Sequence, residues 1–106
     1  GTVRIWDLAS GLPTAILTGP ARQVWRVAFS SDGSRVAGSV ADGTVQIWDV
    51  ASGRPVAVLR GHSDEAWGLA FTPDGQALAT ASWDGSVRLW GVSVAALARA
   101  RATTPE

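Results

Sequence analysis

Thr2-Val3-Arg4-Ile5-Trp6-Asp7 alternates polar and apolar side chains with period two, the pattern of a β-strand with one face on a core. The same alternation returns at Thr44–Asp49 and at Ser86–Trp90, so that Trp6, Trp48 and Trp90 stand 42 residues apart. The apolar runs between them fall at matching offsets. They predict further strands at Ala15–Leu17, Val24–Phe29, Arg35–Val40, Pro55–Leu59, Ala66–Phe71 and Gln76–Ser82. Nine strands are expected up to Trp90, with no helix among them, hence an all-β chain built by repetition. Val24–Phe29 is apolar at almost every position, which predicts a strand buried on both faces, with Trp25 and its counterpart Trp67 in the core.

The breaks between runs carry turn chemistry. Asp42-Gly43 and Asp84-Gly85 are strong hairpin signals, and a two-residue turn with φ > 0 at both positions is expected there. Ser10-Gly11-Leu12-Pro13, Ser31-Asp32-Gly33, Ser52-Gly53 and Thr72-Pro73-Asp74-Gly75 are the remaining loops. After Trp90 the repeat fails at Gly91. Ser93 to Arg101 is Ala-rich and reads equally as a short helix with Ser93 at its N-cap or as a degenerate outer strand, with a frayed tail beyond it.

Composition narrows function more than fold. The 106 residues carry nine basic and nine acidic side chains, so the basic footprint of a nucleic-acid binder is missing. No Cys is present, and one His cannot make a zinc site, so neither metal nor cofactor is expected. No apolar run reaches membrane-spanning length, so no membrane partner is expected and the cytoplasm is the expected compartment. The chain opens on Gly1 rather than Met, which reads as a processed or partial chain.

Gly61-His62, the pairs Trp6-Asp7 and Trp48-Asp49, the Asp-Gly turns and the Ser-Gly turns, all recurring at one spacing, resemble the WD repeats of β-propellers over about residues 1–91. The resemblance implies four-stranded antiparallel blades: a partial blade at 1–20, one at 22–60 and one at 65–91, followed by an atypical 92–106 segment. Each unit is apolar on both faces, so stacking sheets around an axis is the way to bury them. Rings of this kind have roughly 4–8 blades, so an incomplete, open ring is expected, completed by missing blades of a parent chain or by further copies.

The resemblance also implies a hydrogen-bonded tetrad in each blade. By position it consists of His62, Ser82, Asp84 and Trp90, with Asp42 and Trp48 the remnants one blade earlier. There Pro20 and Val40 replace the His and the Ser. A Ser-His-Asp hydrolase is rejected because the hydroxyl would be committed to the indole. The implied role is a non-catalytic scaffold for other proteins. The alternatives are a regulatory or sensor segment attached to an enzyme, and a self-assembling ring that binds a small ligand. Trp83 precedes a turn Asp where the earlier repeat has Ala41. It reads either as an interaction hot spot or as packing on a neighbouring loop. Asp64 and Glu65, with their counterparts Arg22 and Gln23, are the candidate rim of that face.

Overall fold

A computed structural model describes residues 2–18 and 23–93. These form nine strands: β1 (Thr2–Trp6), β2 (Pro13–Thr18), β3 (Val24–Phe29), β4 (Arg35–Val40), β5 (Val45–Asp49), β6 (Pro55–Leu59), β7 (Ala66–Phe71), β8 (Ala77–Ser82) and β9 (Val87–Gly91). All pairings are antiparallel between chain neighbours, giving sheets of order β1-β2, β3-β4-β5-β6 and β7-β8-β9. The helix-or-strand alternative for the Ala-rich stretch falls on 94–106, outside the described residues, as do Pro20 and Arg22.

The middle sheet is covered on both faces, and its sequence explains how. On one side Val36 and the ring of Trp48 pack with Leu17 of the first sheet, joined by Val3, Ile5 and Ala15. On the other, Ala37, Val45 and Ile47 pack with Ala66 and Leu78 of the third sheet and with Val92. Alternation along β5 assigns these faces, since Ile47 and Trp48 are neighbours in sequence and opposite across the sheet. Both are fully buried.

The twice-buried strand is β4, not β3. In a meander the first strand of each sheet is an edge, with a partner on one side only. Val24–Phe29 accordingly has most of its positions exposed, whereas β4 is buried from Val36 to Val40. The expectation that Trp25 and Trp67 are core is corrected with it: they are 52% and 49% exposed. Small residues suit the centre of the sheet. A Cβ on Gly38 would lie 2.9 Å from both Trp48 Cζ3 and Val24 Cγ1, so the absence of a side chain lets the indole lie flat against the strand.

The Asp-Gly turns also differ from expectation. Among the described residues only glycines have positive φ, +93° at Gly43 and +89° at Gly85, and no Asp does. Gly43 N–H donates to the Val40 carbonyl and Val40 N–H to the Thr44 carbonyl, so the hairpin loop has three residues, Ala41-Asp42-Gly43, closed by one left-handed glycine. Ser82–Ser86 repeats the arrangement. The Asp side chain serves the turn instead, with Asp42 Oδ1 accepting Thr44 N–H at 3.0 Å.

Gly38→Ala should cost about 1–3 kcal/mol through overpacking on Trp48. Gly68→Ala, whose Cβ would meet Ala81 Cβ at an ordinary 3.4 Å, should stay within about 1 kcal/mol. Urea denaturation of the two variants compares them, and equal midpoints would refute the close-approach argument.

Candidate functional site: a buried relay and an aromatic face

The third sheet holds a continuous polar relay. Trp90 Nε1–H donates to Thr80 Oγ1 at 2.8 Å, and Thr80 Oγ1 lies 2.6 Å from His62 Nε2. His62 Nδ1 lies 3.0 Å from Asp84 Oδ2. A neutral imidazole with its proton on Nδ1 satisfies every member: the indole donates to the hydroxyl, the hydroxyl to Nε2, and Nδ1–H to the carboxylate. The His62 and Trp90 rings meet edge to face at 6.2 Å. The His62 side chain is 1% exposed.

The hydroxyl in this relay belongs to Thr80, which corrects the assignment of Ser82. Across β8 and β9, Trp90 stands opposite Leu78 and Arg88 opposite Thr80. Thr80 is therefore the diagonal neighbour of Trp90, within reach on the same face, and Ser82 is one pleat too far. Ser82 bonds the loop instead: its hydroxyl donates to the Asp64 carbonyl at 2.9 Å and accepts Asp84 N–H at 3.1 Å.

Asp84 gathers four donors: the Ser86 hydroxyl at 2.6 Å, the backbone N–H of Ser86 at 2.8 Å and of Ser63 at 3.0 Å, and His62. The Ser86 hydroxyl is the largest cause holding this carboxyl well below its ordinary range. Burial opposes the shift, and the two backbone N–H groups and His62 add to it. The loop Asp32 is likewise lowered to about 2, chiefly by Ser34 N–H, then by the Ser34 and Ser30 hydroxyls.

One blade earlier the same indole finds a different acceptor. The position matching Thr80 is Gly38, so no hydroxyl is present there. Trp48 Nε1–H donates at 3.1 Å to the carbonyl of Thr18, on the preceding sheet. Trp48 thus ties two sheets together where Trp90 ties strands of one.

Thr80–His62–Asp84 has the connectivity of a nucleophile–base–acid triad. Thr80 is 1% exposed, however, and its hydroxyl already accepts from Trp90. No substrate atom can reach it, and the arrangement is chemically a brace. Among the described residues no group of His, Asp and Glu is arranged to hold a metal ion.

The candidate binding residues lie at the loop end of the sheets where β4 and β8 finish. Trp83 is the first residue of its three-residue loop and is 70% exposed. Its N–H donates to the Glu65 carbonyl at 3.1 Å, as Ala41 N–H does to Gln23 at 2.9 Å. Asp64 accepts Glu65 N–H at 2.8 Å. Trp83, Glu65, Ala66, Trp67, Trp25 and Arg26 together line a cleft of about 250 Å³ between β3 and β7. The sequence reading missed Trp25 and Trp67 here. The first-strand position of each could have revealed their exposure, but nothing in the sequence marks the bulges on which they sit.

The sequence profile of the WD domain, G-beta repeat, matches residues 11–49 and 53–91. Three sheets built at one period, a Trp-anchored polar brace and this match over most of the chain place the protein in the WD-repeat family, and its sheets are blades of a β-propeller. A comparison with characterised proteins finds no significant match.

Thr80→Val keeps the shape but leaves indole and imidazole without their common partner. It should cost about 1–3 kcal/mol, with Thr80→Ser retaining most of the stability and Ser82→Ala losing less than Thr80→Val. A larger loss for Ser82→Ala would restore Ser82 to the relay.

The Asp84 pKa is depressed below its ordinary 3.8 in the folded chain, so its bonds stabilise fully above about pH 4 and are lost as pH falls toward the folded value. Asp84→Asn should therefore be less stable than the parent at pH 7, and the gap should narrow by pH 2.5. A constant gap would refute the assignment. At neutral pH, Asp84→Ala should lower Tm more than Asp42→Ala, whose repeat has Pro20 and Gly38 in place of His62 and Thr80.

Proposed function

We propose that this chain is a non-catalytic WD-repeat segment of a longer propeller protein. It holds partner proteins on the face that carries Trp83. WD repeats generally mediate protein–protein contact. The observation that carries the reading to this face is the cleft itself, where three of the six Trp side chains stand at least 49% exposed. A cluster of large apolar rings left in water marks an interaction surface. The burial of Thr80 and His62 supports a structural role for the one catalytic-looking triad.

The longer-chain reading rests on the outer face of the third sheet. Val87 and Leu89 are 76% and 72% exposed, while Val45 and Ile47, their counterparts 42 residues earlier, are fully buried against the next sheet. A further blade on Val87 and Leu89 would repeat that packing. β1 already fills the role that β9 fills in the third sheet, so copies joined head to tail would duplicate a strand rather than complete a blade.

Size-exclusion chromatography of the purified chain should give a monomer that associates indefinitely. Leu89→Glu should suppress the association without lowering Tm. One defined oligomer would overturn the longer-chain reading in favour of a ring of copies. Immobilised chain should capture proteins from the source cells. Capture should be reduced by Trp83→Ser and unchanged by Asp74→Ala, at the opposite end of β8. Equal capture by all three forms would move the interaction off this face, and no capture would refute the scaffold reading.

A further inference from the structure

The aromatic cleft has features that a plain apolar contact does not need. Trp25 and Trp67 occupy the same place in successive blades, each at a bulge in the first strand. The β3 register slips between Val24 and Arg26, and the β7 register slips between Ala66 and Gly68. A bulge takes one residue out of ladder pairing and re-aims its side chain. The same device, used twice, leaves both indoles about half exposed on one side of the molecule. Trp83 completes the set from its loop, its ring 6.0 Å from that of Trp67 and tilted by 45°, so that the two planes form an open wedge.

Charge lines the wedge asymmetrically. Among the described residues Glu65 is part of the cleft and Asp64 precedes it in the chain, against the guanidinium of Arg26. Arg26 already donates through Nε to the Trp67 carbonyl at 3.3 Å, which ties β3 to β7 across the cleft. Among the described residues Glu65 and Arg26, although they line one cleft, form no ion pair with each other. Indole faces attract cations more strongly than other aromatic rings do, and a carboxylate beside them adds a counter-charge. Arg26 keeps donors that suit a peptide carbonyl.

We propose that the cleft receives a cationic side chain, arginine or lysine, from a partner polypeptide. The cation lies against Trp83 and Trp67 and pairs with Glu65, while Arg26 donates to the backbone of the same segment. This inference rests on the protein-binding reading and names the chemistry of its partner.

The test uses Gly-Gly-Arg-Gly-Gly, its lysine form, and its citrulline form, which keeps the shape of arginine without the charge. Binding is followed by indole N–H resonances in NMR. The arginine and lysine peptides should shift Trp83, Trp67 and Trp25 and leave the buried Trp48 unmoved. The citrulline peptide should bind more weakly than arginine. Trp83→Ala and Glu65→Gln should each weaken the arginine peptide about 3- to 30-fold, with the Trp48 resonance reporting that both variants remain folded.

Citrulline binding as well as arginine, affinity unchanged in Trp83→Ala, or no shift of the three indoles would each overturn the proposal. Protein capture that persists in Trp83→Ser while the peptides fail would overturn this proposal alone. Absence of any captured protein would instead defeat the broader reading, even if the cationic peptides bound.

Discussion

A four-stranded sheet that is apolar on both faces cannot be stable by itself, and that constraint organises this chain. The middle sheet solves it with neighbours on each side: Leu17 and the first sheet over Val36 and Trp48, the third sheet over Ala37, Val45 and Ile47. At about 25 cal/mol per Å² of apolar surface removed from water, covering a second face outweighs any single hydrogen bond in the molecule. Sequence period, strand order and the need for further blades all follow. So does the difference between buried Ile47 and exposed Leu89, which hold the same position in successive repeats.

Burying a Trp in such a stack brings a second requirement, because the indole N–H must find an acceptor. Two answers coexist 42 residues apart. Trp90 uses Thr80, and the chain then needs His62 and Asp84 to satisfy the hydroxyl and one another. Trp48 uses the carbonyl of Thr18, which requires no side chain at position 38, and Gly38 lets the ring pack directly on the strand. The polar relay is therefore one of two ways to satisfy an indole, the other relying on close packing and a neighbouring sheet. This explains how a repeat can lose its His and its hydroxyl and keep its shape.

Most of the architecture was legible in the sequence because strand alternation and turn chemistry are local. The nine strands follow from alternation or from short apolar runs bounded by turn residues, and the opposite facing of Ile47 and Trp48 follows from period two. Position within a sheet is not local. An apolar run such as Val24–Phe29 looks the same whether it is central or at an edge, and only the meander order makes it an edge. The relay was legible in kind but misplaced by one pleat. The pairing of Leu78 with Trp90 puts Thr80 on the diagonal, and that register requires knowing that the loop has three residues rather than two. The bulges at Trp25 and Trp67 left no sequence signal, since a bulge is defined by the pairing of two strands and not by the residue it displaces.

The six tryptophans divide by the element that carries them. Trp48 and Trp90 lie on the third strand of a blade, and each satisfies its N–H within the protein. Trp25 and Trp67 lie on bulged first strands and Trp83 on a loop, and these three gather at one cleft. Trp6, on β1, is 51% exposed, although Trp48 at the same repeat position is fully buried. That contrast separates two causes of exposure. Trp6, Val87 and Leu89 belong to strand positions that the middle sheet buries, so a neighbouring blade is enough to cover them. No such counterpart exists for Trp83, because the earlier repeat has Ala41 at that place. The blade repeat therefore does not call for an indole at this place, and the wedge that it forms with Trp67 is the feature that the proposed cationic side chain would use.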